Sequence, residues 1–384
     1  MKLFFIIGED SGDALAAPLI ESLKETHGDD LECVGVGGPR MQDVGFDELL
    51  PMDQISVMGI WEILPKIPRL LRINRAIIEE IEKQQPDAVI TVDFPDFNFI
   101  TAKKLKKRGI YTGKIIHYVA PSVWAWRPKR AEKIAQFLDG IMCLFPMEVE
   151  YFTKHDLKAA HVGHPLITSD ARNADPESFR KENNIPSDAK TVGLFFGSRE
   201  MEFKNLSSTL KEAARLVEEM EDNVHIIAPT LPHLEYEIQK ILADFDFPVY
   251  VSANPTVKWE AFKACDVAIA VSGTVALELS YAGIPHVIAY KLNPVSALIL
   301  RFLVKTKHAH LANILLDKEI VPECLQDKCK EEIIAQHLLD LLQDEAKHRE
   351  QVESFEPLHE ILGGDSSMSP SQKAAEFITN TINS

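Results

Sequence analysis

The chain is short of positive charge: 41 Lys and Arg stand against 58 Asp and Glu, a formal net charge of −17. A field of that sign repels polyphosphate, which argues against sequence-independent binding of nucleic acid. Long apolar runs are missing too. A membrane-spanning helix needs about 18 consecutive apolar residues, and the best stretch, 296–304, is broken by Arg301. The apolar run after Met1-Lys2 stops at Gly8, too short for a secretory signal and without a small-residue cleavage site. Cysteines are few and scattered: Cys33, Cys143, Cys265, Cys324 and Cys329. Only the last two are near neighbours, and no second pair completes a zinc site, so buried reduced thiols are expected. His161/His164 and His308/His310 lack a carboxylate at ligand spacing, so neither a metal nor a cofactor is expected. A Walker A loop and a Gly-x-Ser-x-Gly elbow are absent, and residues 8–13 lack the Gly-x-Gly-x-x-Gly fingerprint. ATPase, serine hydrolase and dehydrogenase readings are weakened accordingly.

What is present is ordinary globular composition, 46% hydrophobic and 26% charged over 384 residues, enough for two or three domains at about 150 residues each. Short runs of Val, Ile and Phe alternate with helical patterns, the signature of βαβ units in a parallel sheet. Strands are expected at 2–8, 32–37, 88–93, 114–119 and 140–145, then at 191–196, 224–228, 249–252, 267–271 and 286–290. The Pro-, Ser-, Asp- and Asn-bearing stretch 165–190 reads as a linker. The expected fold is therefore α/β, two Rossmann-like doubly wound domains facing across a cleft, the first over 1–168 and the second over 169–347.

In such sheets ligands bind beyond the carboxyl ends of the strands. In the second half Ser272-Gly273-Thr274-Val275-Ala276-Leu277-Glu278 follows an apolar run and opens a helix. Free amides and the positive dipole end there suit a diphosphate, and the Glu278 carboxylate could accept from ribose hydroxyls. Gly197-Ser198-Arg199 adds a guanidinium, a forked donor that keeps its charge. The alternative is a capped structural helix with a solvated Glu. The first half supplies carboxylates instead, in Gly8-Glu9-Asp10-Ser11-Gly12-Asp13 and in Asp93-Phe94-Pro95-Asp96-Phe97-Asn98. Asp93 directly ends an apolar run and is the better general base, while Asp96 or Glu9 could instead cap the following helix.

Residues 55–78 interleave Met58, Trp61, Ile63, Leu64 and Leu71 with Lys66, Arg69, Arg72 and Arg75. Apolar and basic side chains together suit a lipid interface or an acyl chain, against the plainer alternative of a core helix. Pro65 and Pro68 are expected to break a single long helix into short pieces. Residues 101–130 carry nine basic side chains and no acidic one, either a solvated helix face or an attractor of anions within a screening length of about 8 Å.

Taken together, these segments resemble one family, the lipid-A-disaccharide synthases, inverting glycosyltransferases of GT-B fold. The resemblance is carried by 8–13, Gly37-Gly38-Pro39-Arg40-Met41, Val57-Met58-Gly59, 93–98, Val162-Gly163-His164-Pro165, 197–199, 272–278 and Asn313-Ile314-Leu315, and most specifically by Pro121-Ser122-Val123-Trp124-Ala125-Trp126-Arg127. It implies condensation of UDP-2,3-diacylglucosamine with 2,3-diacylglucosamine 1-phosphate to the β-1,6-linked lipid A disaccharide 1-phosphate and UDP, without a metal. It further implies catalytic roles for Asp93, Glu9 and Asp96, and UDP contacts from Gly197, Ser198, Arg199, Ser272, Gly273, Thr274, Glu278 and Asn313. Acceptor or lipid contacts fall to Ser11, Asn98, Ser122, Trp124, Arg127, Met58, Trp61, Ile63, Leu64 and Leu71. The resemblance also implies that helices from about 348 to 384 return to the first domain, that homodimers exchanging C-terminal elements form, and that the protein is cytoplasmic and peripheral on the anionic inner face of the inner membrane. Asp10 stands where the family commonly has alanine, and Phe196 where a proline commonly precedes Gly-Ser-Arg. Other readings are a different UDP-N-acetylglucosamine-using GT-B enzyme, or a non-catalytic nucleotide-sugar-binding protein docked on a membrane.

Overall fold

A computed structural model describes residues 1–56, 60–292 and 306–384, the side chains of 60–66 and 200 excepted. The chain divides into two compact units, Met1–Ile167 with Leu362–Ser384, and Thr168–Ile361.

The first unit holds β1 (Lys2–Ile7), β2 (Glu32–Gly37), β3 (Asp47–Pro51), β4 (Ala88–Val92), β5 (Lys114–Tyr118), β6 (Gly140–Cys143) and β7 (Lys158–His161). Their order is β3-β2-β1-β4-β5-β6-β7, and each neighbouring pair is parallel. The central strands are apolar without alternation because both faces are covered. Phe4, Ile6, Val89 and Ile115 pack to one side, and Leu3, Phe5, Ile90 and Tyr118 to the other. The order reverses between β1 and β4, so the loops after these two strands flank the sheet's switch point.

The second unit repeats the plan with β8 (Lys190–Phe195), β9 (Val224–Pro229), β10 (Val249–Ser252), β11 (Val267–Val271), β12 (His286–Tyr290) and β13 (Glu323–Leu325). Here the order is β10-β9-β8-β11-β12-β13, again parallel, and the switch point lies between β8 and β11. All five cysteines are buried free thiols.

Three features differ from the sequence expectations. One helix runs unbroken over Ile60–Gln84 although it contains Pro65 and Pro68. Both prolines lie in its first nine residues, so only two ladder bonds near one end are lost, while Ile77, Ile78 and Ile81 anchor the other end in the core. The 165–190 stretch is no loose linker. It carries the helix Pro176–Glu182, whose Arg180 reaches Ala189 O at 3.2 Å, Thr191 Oγ1 at 2.9 Å and Asp266 Oδ2 at 3.3 Å. Finally, the return to the first unit begins at Leu362 rather than near 348. The helix Glu345–Glu353 stays with the second sheet because buried Gln351 accepts from His286 N at 2.7 Å and donates to Ile320 O at 3.1 Å. The last helix, Pro370–Ile382, packs Ala374, Ala375 and Ile378 into the same core layer as Leu3 and Phe5.

Candidate functional site

At the switch point of the first sheet the loops after β1 and β4 touch: a β-carbon on Gly8 would sit 2.5 Å from the Phe94 ring. Asp93 and Phe94 both adopt left-handed backbone, at φ 48° and 45°. Two consecutive non-glycine residues in that region cost of the order of 1–3 kcal/mol each and persist only where the surroundings hold them. They are held by Asp93 N donating to Tyr118 O at 2.9 Å, and by buried Asn98, whose Nδ2 donates to Asp93 O at 2.8 Å and Val92 O at 3.3 Å. Asn98, whose side chain is wholly buried, thus buttresses the turn. Ser11, exposed in the first turn of the helix Asp10–His27, donates to Asp93 Oδ2 at 3.1 Å.

The other carboxylates divide by burial. Glu9 is the exposed N-cap residue of the helix Asp10–His27. Asp10 pairs with Arg40 at 3.2 Å. Asp13 is fully buried and accepts from Arg40 N at 3.1 Å and Met41 N at 3.2 Å, which caps the helix Pro39–Asp43. Asp96 is 93% exposed and meets Arg130 at 3.4 Å. Of these acids Asp93 alone combines partial shielding with a strained, fixed backbone at the switch point.

After β5 the chain turns through Val119, left-handed at φ 77°, into the single helical turn Val123–Trp126. Ser122 is exposed, Arg127 stacks 3.7 Å from the Trp126 ring centroid, and the half-buried Trp124 donates its indole N–H to Glu148 Oε1 at 3.1 Å. Glu148 was not singled out from sequence. Its signal was the capping spacing of Phe145-Pro146-Met147-Glu148, an acid three residues past the cap. Burial pushes its carboxyl up to about 7, against the pull of the Trp124 and backbone N–H donors. His117, also buried, is held neutral by desolvation, with a pKa down at about 3. The basic stretch 101–130 is partly neutralised by acids from other elements, Lys106 by Asp139 at 3.2 Å and Arg108 by Glu82 at 2.7 Å. Leu71 is 50% exposed. Met58 and the side chains of Trp61, Ile63 and Leu64 lie outside the described residues.

The second sheet's switch point carries the complementary chemistry. Gly197 is left-handed at φ 86°, and a β-carbon there would sit 2.7 Å from Glu202 Oε2 and 3.5 Å from Val271 Cβ. The Gly197-Ser198-Arg199 loop thus lies against the end of β11, where Ser272 begins the next loop. Ser198 is exposed, its carbonyl 3.2 Å from His233 Nε2. Arg199 is 79% exposed and makes a loose pair with Glu202 at 3.4 Å. Gly273 and Thr274 are exposed, and among the described residues nothing lies within 4 Å of a β-carbon on Gly273, which as N-cap residue of the helix Thr274–Tyr281 offers no side-chain cap. A helix end of this kind suits an anion. Ser272 Oγ donates to Ala309 O at 3.1 Å, and Glu278 accepts from Lys258 at 2.7 Å.

Phe196, in place of the family's proline, is buried edge-to-face with Phe203 at 5.7 Å. Asn313, expected to contact the nucleotide, has its side chain engaged within the second unit. It is fully buried, its Nδ2 donates to Val321 O and Glu323 Oε1, and its Oδ1 accepts from Ile320 N and Val321 N. All its hydrogen-bonding positions are used in closing the turn before β13. Among the described residues no group of three or more His, Cys, Asp or Glu could hold a metal ion.

Solved structures of the same fold include the S. aureus MnaA–UDP co-structure (TM-score 0.65, 13% identity, covering 100% of this chain and 97% of that one). Another is MurG of Acinetobacter baumannii (TM-score 0.57, 13% identity, 99% of each chain). The fold is that of the GT-B glycosyltransferases and their epimerase relatives. Within it, the family described as Lipid-A-disaccharide synthetase matches residues 3–377. The lipid-A-disaccharide synthase of Paramagnetospirillum magneticum is 39% identical over 386 residues, covering 100% of this chain and 98% of that protein. That of Rhodospirillum centenum is 36% identical over 383 residues, covering 100% and 95%. The chain belongs to the lipid-A-disaccharide synthetase family, with the role of a glycosyltransferase in lipid A disaccharide synthesis.

Proposed function

We propose that the chain transfers 2,3-diacylglucosamine from UDP to the 6-hydroxyl of 2,3-diacylglucosamine 1-phosphate, giving the β-1,6-linked disaccharide 1-phosphate and UDP. The observation that carries this reading is the division of chemistry between the two switch points, carboxylates in the first unit and an arginine beside a helix N-terminus that begins at Gly273 in the second. Asp93 accepts the proton of the acceptor hydroxyl as its oxygen bonds to the anomeric carbon. The bond from that carbon to the diphosphate breaks on the opposite face, so configuration inverts in a single displacement. Charge growing on the departing UDP meets Arg199 and the amides of 273–275, which removes the need for a metal. One Glu278 oxygen is bonded to Lys258; the rest of the carboxylate serves the ribose hydroxyls. Mass spectrometry of the product from the two diacylated substrates tests the reading. The expected species is the tetra-acylated disaccharide 1-phosphate, and equal turnover of non-acylated UDP-glucosamine would overturn the acyl-specific assignment.

Both substrates are carried by a membrane, and the first unit offers a surface for it. Ile67, Leu71 and Ile100 are 38%, 50% and 48% exposed, among exposed Arg69, Arg72 and Lys103. Among the described residues no helix is long and apolar enough to cross a bilayer, so we read this surface as lying on an anionic leaflet. Detachment from anionic vesicles is expected to require salt and detergent together. Release by salt alone would show that the apolar side chains do not enter the lipid. A homodimer exchanging C-terminal elements would re-form between chains the bonds Ser22–Ser371 and His27–Thr379 that pin the last helix here.

A further inference from the structure

Glu148 is 1% exposed, and taking a carboxylate out of water is costly unless it is paired. A residue that only filled space here would be apolar. Instead Oε2 accepts from Phe145 N at 3.2 Å, and Oε1 accepts the indole N–H of Trp124 at 3.1 Å, across 24 residues of chain. That second bond joins the loop after β5 to the loop after β6. Among the described residues it is the one side-chain hydrogen bond that residues 121–127 make to another element. The loop needs such an anchor. It leaves the sheet through a β-branched residue in left-handed backbone, Val119, with Val119 N and Ala120 N both donating to Met142 O at 3.1 Å. These bonds fix its root. Its far end, carrying Trp124, exposed Ser122 and the Arg127–Trp126 stack, has Glu148 as its tether.

We propose that Glu148 is a positioning residue for the acceptor: through the indole N–H of Trp124 it sets the 121–127 loop against the sugar that Asp93 deprotonates. The inference rests on the reading that this loop meets the acceptor. The exposed part of the Trp124 ring is an apolar platform of the kind sugars and acyl stems lie on, and the bond to Glu148 fixes its orientation. The Cys143 thiol on β6 also faces the carboxyl, but burial raises its pKa far above the usual range, so it brings no charge.

Steady-state kinetics with each substrate varied in turn test the proposal. Trp124→Phe keeps an aromatic ring, smaller than the indole, and removes the N–H donor. Its KM for the acceptor is expected to rise about 10-fold, the size of one hydrogen bond, with KM for the donor and affinity for UDP unchanged. Glu148→Gln, which keeps one accepting oxygen, should lie between wild type and Glu148→Ala. The double variant Trp124→Phe/Glu148→Ala should be no worse than the more impaired single one, because both remove the same tether. Unchanged acceptor KM in a folded Trp124→Phe enzyme overturns the proposal. So does an equal loss of donor and acceptor binding in all variants, which would mark a general packing role. If Glu148→Ala fails to fold, the Trp124→Phe and Glu148→Gln pair still decides the matter. Failure of the wild-type protein to use diacylglucosamine 1-phosphate at all would instead sink the functional reading beneath it.

Discussion

Asp93→Asn is expected to lower kcat by roughly 10²–10⁴-fold, the range for loss of a positioned general base, and to leave the affinity for UDP unchanged. Asparagine is the substitution of choice because the site demands a left-handed backbone at φ 48°, which Asn tolerates and most residues do not. The Asn98 bond to the Asp93 carbonyl and the Tyr118 bond to its amide are main-chain contacts that the change leaves in place. Ser11 still finds an acceptor in the amide oxygen. What is lost is the capacity to take a proton. Isothermal titration with UDP alongside turnover separates the two effects. Full activity in Asp93→Asn would shift the base to Glu9 or Asp96, and Asp96 is the weaker candidate because it is solvated and engaged by Arg130.

Arg199→Ala is expected to weaken UDP binding about 10- to 100-fold, since hydrogen bonds to charged groups contribute about 1.5–3 kcal/mol. kcat should fall as well, because the charge that Arg199 meets is larger on the departing diphosphate than in the bound donor. The fold loses little: the guanidinium is 79% exposed and its pair with Glu202 is long. Arg199→Lys should recover part of the affinity, as a point charge without the fork. Normal UDP affinity together with normal turnover in Arg199→Ala would remove the diphosphate clamp from the second unit.

The covered strands were readable from sequence because burial on both faces leaves continuous Val, Ile and Phe runs; β2, β11 and β12 fall on the residues expected, as does the edge strand β10, partly exposed but carrying Val249, Tyr250 and Val251. The strands that were missed, β3, β7 and β13, each end a sheet. Their residues Asp47–Pro51, Lys158–His161 and Glu323–Leu325 are partly exposed and carry no such run. The proline-bearing helix was misjudged because proline rules describe helix interiors, and here tertiary packing holds the far half. At the candidate site, motif spacing found the loops but could not separate exposed groups from buttresses. Asn98 and Asn313 lie in the first turns of the helices Pro95–Arg108 and Leu311–Leu315 and face inward, since a short polar side chain closes a tight turn as readily as it binds a ligand. Glu148 went unnoticed because its partner Trp124 is distant in sequence and meets it only when β5 and β6 pair.

The helix Pro370–Ile382 completes a core whose other members begin at Leu3. The first unit can therefore close its apolar layer only after residues 370–382 have left the ribosome, while Thr168–Ile361 emerges as one continuous stretch able to fold as a unit. Until then the face of the helix Asp10–His27 that takes Ala374 and Ile378 stands open to water.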